Sequence, residues 1–245
     1  MPDSAKPLAG QTVFVTGAAK RLGRGIALAL AGAGADVAIT YRASVDEARE
    51  TVAELQALGV EASMHRCHLE RPEEIAAAVT AAYDLHGRID ILVNNAGSFA
   101  SAPLESISAA EWDAMFATNT RGPFLVAQAA FPHLKQGRGR IINIGSLGGL
   151  APWATHAHYC ASKAALHMLS KTMAKAWAPE ISVNCVAPGM IVQGEVGSGY
   201  QQFAEKTPMK RNGTSADVAA ACLFFATGPH FITGQLLAVD GGLGL

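Results

Sequence analysis

Short β-branched apolar runs alternate with helical stripes along the whole chain, and that alternation leaves few folds open. The first run, Thr12-Val13-Phe14-Val15-Thr16, ends in a glycine. Similar runs recur at 36–41, 61–66, 89–93, 140–144, 181–186 and 236–239. Between them, apolar residues fall at helical spacing. Leu22, Ile26, Leu28 and Leu30 form one stripe, and Val45, Ala48, Val52 and Leu55 another. Ile75, Ala78, Val79 and Ala82 form a third; Val218, Ala221, Cys222 and Phe225 follow a cap at Thr214 or Ser215. Helical stretches at 109–116 and 122–135 flank Asn119, and a long apolar helix covers 157–178. The segment 190–212 has glycines, polar residues and little periodicity, and reads as irregular. Strands that are apolar almost throughout are buried on both faces, which points to a parallel sheet covered by helices on each side. No Pro/Ser-rich linker divides the 245 residues, so the expectation is one doubly wound α/β domain over 1–245.

Half of the residues are hydrophobic and only 16% are charged, which excludes disorder as the general state. With a net charge of -1 and no basic block, neither nucleic acid nor an anionic membrane is an expected partner. No segment supplies the ~20 apolar residues of a membrane span, and residues 1–9 lack a signal-peptide core, so a cytoplasmic location is expected. Cys67, Cys160, Cys185 and Cys222 are scattered without a Cys-x-x-Cys spacing and read as reduced, packed thiols. The eight histidines show no paired ligand spacing, so no metal site is expected.

The stretch from Gly17 to Gly23 lies between the first strand and the first helix. Bare backbone there lets a pyrophosphate approach free N–H groups at a helix N-terminus. A plain glycine turn is the competing reading of this motif alone. The second strand ends Tyr41-Arg42-Ala43-Ser44, with no carboxylate before Asp46. A carboxylate at that place suits a ribose hydroxyl, whereas Arg42, with Lys20 and Arg21 from the first turn, suits a 2′-phosphate. These residues favour NADP(H) over NAD(H); solvated surface charge is the alternative.

Tyr159 and Lys163 stand four apart, on one face of a helix. A phenol titrates at about 10, and lowering it by three units takes roughly 4 kcal/mol, which a nearby fixed cation supplies. Ser146 lies thirteen residues before Tyr159. It is not a hydrolase nucleophile elbow, since Ile144 fills the first glycine position of Gly-x-Ser-x-Gly.

Together these pieces resemble the short-chain dehydrogenase/reductase family over essentially the whole chain. The matching marks are Thr16-Gly17 through Gly23, Asn94-Asn95-Ala96-Gly97, Asn119, Ser146, Tyr159 with Lys163, and Pro188-Gly189. The resemblance implies a Rossmann-like domain with seven parallel strands, a nicotinamide cofactor, a small-molecule substrate and a homotetramer. It implies that Tyr159 is the acid/base and that Ser146 hydrogen-bonds the substrate oxygen. Lys163 would bind the nicotinamide ribose and depress the Tyr159 pKa, and Asn119 would hold a water near Lys163. The implied cofactor contacts run through Gly17, Lys20, Arg21, Leu22, Gly23, Tyr41, Arg42, Ser44, His68, Leu69, Asn95, Ala96, Gly97, Pro188, Gly189 and Ile191, besides Tyr159 and Lys163. Gln193 stands where relatives often carry a threonine that contacts the nicotinamide amide.

A closer resemblance is to pteridine reductases, carried by Arg21 in the first turn and by Phe99 after Asn94-Asn95-Ala96-Gly97-Ser98. Phe99 and Trp153 are the candidate substrate contacts beside Ser146 and Tyr159; ordinary loop packing is the alternative for both. Trp153, His156 and His158 lie between Ser146 and Tyr159 and are candidates for the substrate entrance. Ser146 suits a carbonyl better than a pterin C=N bond, so the expectation is an NADPH-dependent reductase of a carbonyl or pterin-like substrate. The nearest alternative is a 3-oxoacyl-(acyl-carrier-protein) reductase, with Lys206, Lys210 and Arg211 as basic residues for an acidic carrier. A non-catalytic NADP(H)-binding redox sensor is the alternative of another class.

Overall fold

A computed structural model of the chain describes residues 6–192 and 198–245. Seven strands form one sheet: β1 (Thr12–Val15), β2 (Asp36–Tyr41), β3 (Ala62–Arg66), β4 (Ile91–Asn94), β5 (Arg140–Ile144), β6 (Ser182–Pro188) and β7 (Leu236–Val239). Their order is β3-β2-β1-β4-β5-β6-β7, and every pairing is parallel. The chain starts at the middle, winds outward to β3, then returns to build β4 beside β1. Connections therefore diverge between β1 and β4, and a crevice opens beyond the carboxyl ends of those strands.

Successive side chains of a strand point to opposite faces, and β1 shows why its run must be apolar throughout. Val13 and Val15 enter the core shared with α1 (Arg21–Gly32) and α8 (Ser215–Thr227). Phe14 between them enters the opposite core, with α3 (Pro72–His86), α5 (Gly122–Gln136) and α6 (Ala157–Ala176). β4 splits the same way, with Ile91 and Val93 on one side and Leu92 on the other. Each such side chain, removed from water, contributes about 1.5–3 kcal/mol. The remaining helices are α2 (Val45–Ala57), α4 (Ala109–Phe116) and α7 (Ser198–Lys206).

The sequence reading needs two corrections. The fourth strand begins at Ile91 rather than at 89: at its start the Thr12 amide donates to the Asp90 side chain (2.8 Å), which also accepts from Arg88 (2.7 Å). The segment 190–212 is not irregular throughout, since α7 lies inside it; nine residues are too few for a repeated stripe, and Tyr200 and Phe203 supply its aromatic face. The helices flanking Asn119 are where expected, α4 and α5, and a single π turn, Ala117–Arg121, joins them. Among the described residues, no helix is long and apolar enough to cross a membrane.

Candidate active site

A cavity of about 410 Å³ lies over the first turn and the ends of β2 and β3, and a second of about 730 Å³ lies over the ends of β5 and β6. Leu22, Asn95, Gly97 and Ser98 line both, so the two form one elongated cleft.

Its first half is knitted together by short polar side chains. Thr16 Oγ1 accepts from the amides of Asn95 and Ala96, each at 3.0 Å. Asn95 Nδ2 donates back to the carbonyls of Thr16 (2.9 Å) and Gly17 (3.0 Å). The Gly17 amide donates to Thr40 Oγ1 at 3.0 Å. Gly17 has φ +63°, and a Cβ on it would sit 2.8 Å from the Ala96 Cβ; one on Gly23 would sit 2.4 Å from Asn95 Nδ2. Both glycines are required by space, and Gly17 by conformation as well.

Arg21 holds φ +56°, a left-handed backbone that side chains other than glycine adopt at a cost. It lines the cavity with Lys20, Leu22, Tyr41, Arg42, His68, Leu69, Ala96 and Gly97. Lys20 is engaged by Glu47 at 2.7 Å, but among the described residues neither Arg21 nor Arg42 enters an ion pair. Two free guanidiniums, with no carboxylate at the end of β2, suit a phosphate better than a ribose hydroxyl. The structure does not bring Ser44 into the cavity wall: it sits at the entry to α2. Thr40, Cys67, Glu70, Ser98 and Thr118 also line this half. No motif marked them; Thr118 comes from the π turn, and the others sit at or just beyond the ends of β2, β3 and β4.

The second half holds the titratable groups. Ser146 follows β5 and begins a tight turn, its Oγ accepting from the Gly148 amide at 3.0 Å. Tyr159, on the first turn of α6, lines the same cavity as Ser146. Lys163, one turn on and 5% exposed, donates from Nζ to the Ile144 carbonyl at 2.8 Å. Asn119 is fully buried in the π turn; its Oδ1 accepts from the Ser98 amide (2.7 Å), and its Nδ2 donates to the Ser98 carbonyl (2.9 Å) and to Ser162 Oγ (3.0 Å). A Cβ on Gly97 would come within 3.1 Å of Asn119 Oδ1 and 3.5 Å of Lys163 Nζ, so Gly97 crosses directly above both. The extra residue of the π turn lets Asn119 reach this place from between two helices.

Burial raises the Tyr159 phenol above its ordinary value, with the Ser146 hydroxyl pulling it back. Burial also lowers the Lys163 ammonium to about 8. Desolvation is the largest influence on both groups, and the Lys163 amine donates to the Ile144 carbonyl.

Aromatic rings wall the cavity. Phe99 stands edge-on to Tyr159 (centroids 4.8 Å apart) and tilted against His156 (4.8 Å), while Trp153 lies parallel to Tyr159 at 6.0 Å. Pro188, Gly189 and Ile191 close the β6 side, and Tyr200 and Phe203 of α7 close the rim. Sequence reasoning missed Tyr200, Phe203 and Met190, because the segment shows no periodicity to orient them. Gln193 lies outside the described residues.

A family model described as enoyl-(acyl carrier protein) reductase matches residues 17–244. The chain is 36% identical over 240 residues to the 3-oxoacyl-(acyl-carrier-protein) reductase of Staphylococcus epidermidis, spanning 95% of this chain and 98% of that protein. The structure of a short chain dehydrogenase from Burkholderia cenocepacia in complex with NADP is 35% identical, with a TM-score of 0.92 over 98% of this chain and 100% of that one.

The chain belongs to the short-chain dehydrogenase/reductase family. It is similar too to 3beta-hydroxysteroid dehydrogenase 1 of Eggerthella lenta, at 35% identity over 97% of this chain and 95% of that protein. As a short-chain dehydrogenase/reductase it has the Rossmann-like fold and is an NADP(H)-dependent oxidoreductase. The paired guanidiniums of Arg21 and Arg42 agree with that cofactor. Its small-molecule substrate is the open question.

Proposed function

We propose that the protein uses NADPH to reduce a ketone-type carbonyl on a flat, largely apolar molecule. The observation that carries this reading is that Ser146 and Tyr159 line one aromatic-walled cavity continuous with the cofactor cleft. NADPH, when bound, supplies the hydride. Tyr159 donates its proton to the substrate oxygen, and Ser146 donates a hydrogen bond to the same atom. Lys163 holds positive charge beneath Tyr159 and reaches the nicotinamide ribose. Asn119 braces the Ser98 backbone over Lys163 and carries the relay that returns a proton to Tyr159. Arg21 and Arg42 hold the 2′-phosphate, and Phe99 and Trp153 orient the substrate while excluding water.

A serine at position 146 offers a neutral hydroxyl, which matches a carbonyl oxygen better than a C=N nitrogen that needs a proton. Flat rings between Phe99 and Trp153 keep a pterin within this reading. A 3-oxoacyl thioester is the second reading, favoured by the Staphylococcus epidermidis relative. Against it, two of the three basic candidates are engaged: Arg211 holds Asp217 at 2.7 Å, and Lys210 Nζ donates to the Glu205 carbonyl at 2.9 Å.

We also propose a homotetramer. Two exposed apolar patches support it, one of Phe224, Phe231 and Leu237 around the β7 edge, and one of Trp112, Phe124 and Met168 on α4, α5 and α6.

The test compares kcat/KM with NADPH for an aromatic cyclic ketone, dihydrobiopterin and a 3-oxoacyl thioester. The flat-ring reading predicts that a ring substrate is turned over fastest. A thioester faster by orders of magnitude replaces it with the second reading.

A further inference from the structure

We propose that His167 is a positioning residue for Ser146, its Nε2 clamping from below the turn that aims the serine hydroxyl. The role rests on the reading of Ser146 given above. α6 carries Tyr159, Lys163 and His167 at steps of four, which places all three along one face of the helix. His167 is 6% exposed, and its Nε2 accepts from the Ser146 amide at 3.3 Å. The turn is moulded around the ring. A Cβ on Gly145 would lie 2.2 Å from His167 Nε2, and one on Gly149 would lie 2.5 Å from its Cε1. Neither glycine has a positive φ, so what they supply is room for the imidazole.

The clamp holds the backbone of Ser146 while the Gly148 amide occupies one lone pair of its hydroxyl (3.0 Å). Ser146 itself lines the cavity. An imidazolium would carry a proton on Nε2 and could not accept, so the clamp requires a neutral ring. The surroundings enforce this: burial and the Lys163 ammonium push His167 down to about 4, with Lys171 acting in the same direction and the Gly149 backbone opposing. Cys185, packed against the same turn, adds no negative charge, because burial pushes its thiol up to about 11. With Nε2 accepting, the proton sits on Nδ1, which is buried and finds no partner.

His167→Leu keeps the volume and removes the acceptor; His167→Gln returns an oxygen near the place of Nε2. In the wild type, the Nε2 resonance should be that of an unprotonated nitrogen from pH 8 to 5, and the Ser146 amide should be protected from hydrogen exchange. That protection should fall at least about tenfold in His167→Leu and persist in His167→Gln. Turnover of the cyclic ketone or thioester should fall about ten- to hundred-fold in His167→Leu, as for a slightly misplaced catalytic group, with NADPH Kd unchanged. His167→Gln should restore it to within a few-fold, and in a Ser146→Ala background His167→Leu should cost no more than about twofold. The proposal is overturned by a protonated Nε2, or by Ser146 protection unaltered in His167→Leu. It is overturned equally by a full additional loss in the Ser146→Ala background, or by wild-type kcat in His167→Leu while Ser146→Ala is crippled. Wild-type kcat in Ser146→Ala itself would refute the reading of Ser146, and the positioning role with it; the exchange measurement reads the clamp independently.

Discussion

Lys163 shows how a single residue can be held at odds with stability. Its ammonium, ordinarily at 10.5, is lowered to about 8 by burial. The unfolded chain keeps that proton to about pH 10.5, and the folded chain gives it up from about pH 8. Between those values the unfolded state binds more protons, so stability rises with pH across that window, and below it the full penalty is present. The shift corresponds to about 3 kcal/mol, of which the lost Ile144 hydrogen bond would offset about 1. Lys163→Met should therefore raise stability at pH 7 by about 1–2 kcal/mol in denaturant unfolding, with the gain shrinking from pH 8 to 10, while activity disappears. A destabilised Lys163→Met protein at pH 7 would mean that the lysine's contacts outweigh its desolvation.

The β1–α1 turn makes the same trade at the scale of an element. Arg21 sits at φ +56°, and glycine there would relieve strain of about 1 kcal/mol, less its own entropic cost. Arg21→Gly should leave stability equal or slightly higher, yet weaken NADPH about ten- to hundred-fold, the worth of a charge-assisted phosphate contact, with little change for NADH. Arg42→Asp should go further and improve NADH. Titrating both cofactors against both variants checks this, and an unchanged NADPH/NADH preference would remove the guanidiniums from the argument. Most of this scale was legible beforehand, because β1 and β4 bury both faces and so read as continuous apolar runs. What was not legible depends on distant partners. The π turn around Asn119 has no sequence period of its own, and α7 is too short for one. Ser44 was placed in the cleft by its position after β2, yet it lies at the entry to α2, outside the cavity wall.

For the whole molecule, the cleft is a consequence of strand order. β1, β4, β5 and β6 end side by side, so residues from Gly17 to Ile191 meet at one edge of one sheet. The motifs fixed the reaction class, whereas the substrate depends on rings brought together from two loops and α7, which no local pattern orients. The exposed patches at β7 and on α4–α6 belong to this scale too. Sedimentation should give a mass four times the 25.4 kDa chain, and Phe231→Glu with Leu237→Glu should reduce the assembly. A wild-type monomer at micromolar concentration would leave those patches unexplained.

The central claim is that Tyr159 passes a proton to a substrate oxygen that receives hydride from NADPH. Its most direct test is Tyr159→Phe, following NADPH oxidation at 340 nm with the best carbonyl substrate alongside the NADPH dissociation constant. Removing one hydroxyl should abolish turnover and leave cofactor affinity within a few-fold of wild type. Turnover retained near the wild-type rate would contradict the account.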